Sequence, residues 1–115
     1  MSYYPLRPDC INGVCPVETT LNILSGKWKG IIMYHLLSGK KRFSELKKLI
    51  PAISFRTLTL QLRQLEKDGV VSRTVYAEVP PRVEYALTSL GETMRPIINS
   101  MYEWGIAYQS EESVQ

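Results

Sequence analysis

Between Ser54 and Thr88 the apolar positions change period once, and that change divides the stretch into a helix and a hairpin. Leu58, Leu62 and Leu65 recur at four and three residues, the spacing of one buried helix face. Gly69 ends that helix, because glycine takes the left-handed cap conformation at little cost. From Val71 to Glu78, and again from Arg82 to Leu87, the pattern alternates as strands do. Pro80-Pro81 lies between them, where a turn is needed, since proline donates nothing to a ladder. A helix, a glycine stop and a hairpin in that order predict a winged helix-turn-helix, mainly α with a small β-wing.

The flanking residues fit the same plan. Residues 1–14 hold Pro5, Pro8 and Gly13 without periodicity and read as an irregular arm. Pro16 opens a first helix, proline being favoured at the first helical position, and Val17, Leu21 and Leu24 stripe it as far as Ser25-Gly26. A second helix is predicted from about Lys27 to Ser38, with Trp28, Ile31, Ile32, His35 and Leu36 on one side. Lys40-Lys41-Arg42-Phe43 follows as an extended link. Ser44 caps a third helix through Lys48 that turns Leu46, Leu49 and Ile50 inward. After Pro51-Ala52-Ile53, Ser54 caps the fourth, so two helices are joined by a few residues, as a helix-turn-helix requires.

The last helix starts at Ser89, with Glu92 at capping-box spacing. Leu90, Met94, Ile97, Met101, Trp104 and Tyr108 then recur at alternating gaps of four and three. Such a seam packs a helix along another helix, and it carries more apolar surface than one small domain buries. Val17 and Leu21 of the first helix add to that apolar surface. Pro96 kinks the last helix or begins a new turn, and residues 109–115 read as a frayed polar tail. The folded domain is therefore placed at residues 15–108.

Composition narrows the class. A chain of 115 residues is one domain's worth, and no apolar run approaches the roughly 20 residues of a membrane span. MSYYPLRPDC has neither the basic nor the apolar region of a signal peptide, which points to the cytoplasm. The net charge is only +3, but between Lys27 and Arg82 there are 12 Lys/Arg against 4 Asp/Glu. Positive charge is thus concentrated on the segment that holds the helix pair and the wing, as phosphate binding wants. Double-stranded DNA is the partner these features imply. The plainer reading of the same charges is a solvated basic surface.

On this reading, the fourth helix presents Ser54, Phe55, Arg56, Thr57, Thr59, Leu60, Gln61 and Arg63 to a major groove. Arginine pairs with guanine and glutamine with adenine, and thymine methyls suit Phe55 and Leu60. Lys40, Lys41, Arg42, Arg73 and Arg82 are placed to touch phosphates, which fixes register rather than sequence. Lys27 and Lys29 are candidates for the same role. Cys15 directly precedes Pro16, so its sulfur sits near free amides and the positive end of a helix dipole, conditions that favour thiolate. The alternative is a small buried hydrophobe. Cys10, in the arm, is the weaker candidate, as a resolving thiol. A metal site fails on ligand count, since Cys10, Cys15 and Asp9 give at most three local ligands. His35, the one histidine, reads as a core residue, and no catalytic or cofactor-binding constellation is visible.

Several runs resemble one known family: Cys15-Pro16-Val17-Glu18, Gly26-Lys27-Trp28-Lys29, Arg42-Phe43-Ser44-Glu45-Leu46, Leu62-Arg63-Gln64-Leu65-Glu66-Lys67-Asp68-Gly69, Trp104-Gly105, and above all Val79-Pro80-Pro81-Arg82-Val83-Glu84-Tyr85-Ala86-Leu87-Thr88-Ser89-Leu90-Gly91. The chain is similar over about residues 15–108 to HxlR-type transcriptional regulators, a bacterial and archaeal branch of the MarR-related winged-helix proteins. The resemblance implies a homodimer built from the terminal helices, through Val17, Leu21 and the last-helix seam of Leu90, Met94, Ile97, Met101, Trp104 and Tyr108, on a palindromic operator. In many members it also implies a response to oxidants or electrophiles through a cysteine just before the first helix, where Cys15 stands. Phe55 departs from the polar residue usual at its position. Three other readings remain: a winged-helix module that binds only protein, a ligand-responsive MarR-like regulator without a thiol switch, and a small thiol-redox enzyme. The last lacks a Cys-X-X-Cys motif.

Overall fold

The computed structural model of the chain describes residues 13–114, with side chains as far as Glu111. The elements are α1 (Pro16–Ile23), α2 (Lys29–Leu36), β1 (Lys41–Arg42), α3 (Phe43–Leu49), α4 (Phe55–Lys67), β2 (Val71–Tyr76), β3 (Arg82–Leu87), α5 (Ser89–Glu92) and α6 (Arg95–Val114). The strands form one antiparallel sheet in the order β1-β3-β2. Against it pack α2, α3 and α4, which give the core Ile32, Met33, Leu36, Leu46, Leu58 and Leu62, each 0–1% exposed.

Helix α4 forms as its pattern requires. Ser54 caps it, its Oγ accepting from the Thr57 N–H at 3.1 Å, and Leu58, Leu62 and Leu65 are wholly buried. At the far end Gly69 takes φ of 80°, donating to Glu66 O, while the Val70 N–H reaches back to Leu65 O at 3.1 Å. That pair of bonds satisfies carbonyls which the helix end leaves free, and it starts β2 at a fixed angle.

Elsewhere several boundaries move. Helix α2 begins at Lys29, and its buried face holds Met33, whereas Ile31 is on the surface. His35 is only half-buried, against the edge of Tyr34, so it is not a core residue. The Lys41-Arg42 link is a strand, paired with Tyr85 and Glu84. Helix α3 starts one residue before Ser44, with Arg42 as its cap residue and the Glu45 carboxylate accepting from the Arg42 N–H at 2.7 Å. Leu49 faces outward. Strand β2 stops at Tyr76, two residues short of Glu78, whose N–H folds back onto Tyr76 O; a cis Val79–Pro80 bond then makes the tip of the wing.

The last helix divides. Thr88, not Ser89, caps α5: its Oγ1 accepts from the Gly91 N–H at 3.0 Å and donates to Gly69 O at 2.6 Å. Pro96 cannot sit deep in a helix, because its ring meets the carbonyl four residues back, so a turn intervenes and α6 restarts at Arg95. Arg95 secures the junction, donating to Leu37 O at 2.9 Å and to the Glu92 carboxylate. With no glycine or proline after Gly105, α6 continues to Val114 instead of fraying after Tyr108. Met94, expected in the exposed seam, lies in the turn and is buried against the core.

Candidate nucleic-acid interface

Helix α3, the Pro51–Ile53 turn and α4 bring the two helix N-termini to one side of the domain, and the wing flanks them. Arg56 and Arg63 of α4 are exposed, and so are Phe55 (64%) and Leu60 (45%). Gln61 is half-buried. Three hydroxyls are already engaged locally. Ser54 and Thr57 share the cap, and Thr59 Oγ1 donates to Phe55 O at 2.9 Å. These side chains organise the first turn more than they offer free donors. Arg63 and Arg73 line one polar cleft between α4 and the sheet, together with Thr59, Glu66 and Tyr85.

The basic set divides by partner. Arg42 and Arg73 are exposed. Lys41 turns its ammonium onto Ser38 Oγ and Gly39 O, and Lys40 pairs with Glu84 at 3.4 Å. Arg82 is held by Glu78 at 3.1 Å and by Glu84 at 3.6 Å, over the ring of its cross-strand partner Tyr76 at 4.1 Å. Glu84 is the organiser that sequence reasoning missed. Burial opposes its charge, yet the Tyr76 hydrogen bond, Lys40 and Arg82 together outweigh that and hold its carboxyl below the ordinary range. Part of the wing's positive charge is therefore neutralised within the protein. Lys27 lies over the Trp28 ring at 4.6 Å, and Lys29 is buried at 7% exposure, which removes Lys29 from the phosphate-binding set.

Cys15, half-buried and free, occupies the cap position of α1; its carbonyl accepts from the N–H groups of Glu18 and Thr19. Its side chain makes no capping hydrogen bond. Cys10 lies outside the described residues. Among the described residues no group of His, Cys, Asp and Glu is arranged to hold a metal, and no helix is long and apolar enough to cross a membrane.

A second surface completes the picture. Helix α1 buries no residue in the protomer, leaving Val17 59% and Leu21 63% exposed. On α5 and α6, Leu90, Ile97, Met101, Trp104 and Tyr108 are all exposed, and the last two rings stack at 5.1 Å. Between α1, α2 and α6 runs an apolar groove of about 550 Å³, floored by Leu24, Ile31, Ile98 and the Tyr34–Tyr102 stack.

Residues 23–113 match the HxlR-like helix-turn-helix family. The chain is 61% identical over 95 residues to YdeP, an HTH-type transcriptional regulator of Bacillus subtilis (strain 168), covering 83% of this chain and 74% of that one. Among solved structures it resembles the redox regulator HypR in two states. The oxidised form is 57% identical with a TM-score of 0.78, over 81% of this chain and 96% of the other. The reduced form is 51% identical with a TM-score of 0.82, over 88% and 100%.

Proposed function

The chain belongs to the HxlR-like helix-turn-helix family, and from that premise we propose that it acts as a homodimer on a palindromic operator, with Cys15 as the group through which an oxidant or small electrophile alters its hold. It is a helix-turn-helix transcriptional regulator, not an enzyme. The observation that carries the finer reading is the exposed seam of α6, with Val17 and Leu21 beside it. A second copy covering that seam would set two α4 helices about one turn of DNA apart, ~34–36 Å, so that each reads one half-site.

Groove contact falls on Arg56 first, the one α4 arginine near the helix start. In gel shifts with the upstream intergenic DNA, Arg56→Ala is expected to cost about 1–3 kcal/mol per half-site. Affinity of the parent chain should also fall linearly with salt on logarithmic axes. Unchanged affinity in Arg56→Ala would remove this contact from the interface.

The thiol acts through position. Cys15 lies two residues before Val17, and its carbonyl anchors the first turn of α1, so a group added to Sγ displaces the helix that carries Val17 and Leu21. The likeness to a redox regulator supports the reading. Treatment with a thiol oxidant or with a maleimide is expected to change the operator affinity of the parent by roughly tenfold, a usual size for coupling between sites. Cys15→Ser should bind DNA as the parent does and ignore both reagents. An equal response from both chains would exclude Cys15 as the sensor.

A further inference from the structure

Phe55 departs from what a solvent-facing helix position normally carries. It is the first residue of α4 and 64% exposed, yet its ring has a partner within the protomer. It stacks on Phe43, the first residue of α3, with centroids 5.9 Å apart and planes 13° from parallel. Phe43 itself packs against the core, so the pair is anchored at one end and open at the other. Lys47, one turn further along α3, puts its ammonium 5.4 Å from the Phe55 centroid. The two helix N-termini are thus bridged by an aromatic pair whose outer ring is held in one orientation before any partner arrives. Preorganisation of this kind removes an ordering cost from binding. Even so, most of the surface of Phe55 stays open to solvent.

The surroundings name the occupant. The ring lies at the start of the recognition helix, the end that approaches base edges, next to Arg56 and below Lys47. An apolar ring amid positive charge at a groove-facing helix end meets one apolar feature of the duplex, the C5-methyl group of thymine, which projects into the major groove. We propose that Phe55, held by Phe43, is a specificity-determining residue that reads a thymine C5-methyl in each half-site of the operator. The proposal rests on the DNA-binding reading above and deepens it.

The test changes the DNA by one methyl group and leaves the protein untouched. The probe is the tightest duplex that the protein selects from a randomised double-stranded library, remade with deoxyuridine at one thymine position at a time, symmetrically in both half-sites. Burying a methyl group is worth about a fourfold change in affinity, so at one thymine pair the parent chain should weaken by roughly fourfold per half-site. Phe55→Ala should bind the thymine and uracil duplexes equally. Phe43→Leu, which keeps the core apolar but removes the stack, should show a reduced discrimination. If the parent binds its selected duplex with the same affinity whichever thymine is replaced, or if Phe55→Ala keeps the parent's sensitivity, the proposal is overturned while the DNA reading stands. Failure to select any duplex would overturn both.

Discussion

Replacing Met101 and Trp104 together with glutamate is expected to yield a folded monomer that no longer holds a two-site operator. In the protomer these side chains are 46% and 68% exposed, so the glutamates disturb no core contact. In a symmetric seam they would bring four carboxylates into an interface that excludes water, and unpaired charge there costs several kcal/mol per ion. The exposed apolar residues Leu90, Ile97 and Tyr108 would lose their cover at the same time. Sedimentation should then show one chain where the parent shows two. Operator affinity should fall at least about a thousandfold, towards the non-specific level, because one recognition helix reads only one half-site. A dimer that survives both glutamates at micromolar concentration would place the interface elsewhere.

The groove between α1, α2 and α6 adjoins that seam. On the proposed reading, the two surfaces account for an α1 that has no fully buried residue, only Ile23 resting partly buried on the core, although half its residues are apolar. Such a helix gains little by folding alone; its stability comes from whatever covers Val17 and Leu21. On that reading, a modification at Cys15 would therefore act on assembly rather than on the DNA face directly. The thiol lies at the start of a helix with no fully buried residue, two residues before Val17 of the surface proposed for the second copy.

Local chemistry made much of this fold legible in the sequence. The Leu58-Leu62-Leu65 period and Gly69 define α4 and its stop because each depends on residues within one or two turns. The wing strands and their proline tip were readable for the same reason. What escaped depends on distant partners. Met94 keeps the spacing of the seam, but the break that Pro96 imposes shifts the phase of the helix, so the residue before the break turns into the core. Lys29 shows a charge in the sequence and an aliphatic stem in the structure, and the stem decides its burial. Lys40 counts as a free cation until the pairing of β1 with β3 sets it beside Glu84, and Arg82, two residues before Glu84 on β3, shares the same carboxylate. Among the candidate site residues, the periodicity of α4 sets Arg56, Leu60 and Arg63 off its buried stripe, and the structure leaves them exposed; their contact with DNA is part of the proposal. The Phe43–Phe55 stack was not, because it joins two helices across a turn.

Gly91→Ala is expected to be among the most damaging single substitutions in the domain. Gly91 is buried in the first turn of α5, and an added Cβ would overlap the carbonyl oxygen of Val70 and crowd the Leu87 Cβ at 3.4 Å. The obstacle is backbone, which cannot rotate out of the way as a side-chain end can. It is also backbone with many ties. The Val70 carbonyl accepts from the Thr88 N–H at 3.1 Å, Thr88 Oγ1 donates to Gly69 O, and the Gly91 N–H donates to Thr88. This knot joins the end of α4, the start of β2 and the first turn of α5, so a shift of a few tenths of an ångström here breaks several bonds at once. The cost should be about 3 kcal/mol or more, at the upper end for overpacking, and the melting temperature should drop by more than about 10 °C at equal protein concentration. Gly30→Ala is the control, because its added Cβ meets only the Met101 terminal methyl at 3.9 Å in the first turn of α2; it should be neutral or slightly stabilising. If Gly91→Ala melts with the parent, α5 does not lock the wing to α4. The orientation of the recognition helix relative to the α6 seam would then have to be fixed by the Arg95 bond to Leu37 and by Met94 and Ile98, which are buried in the core.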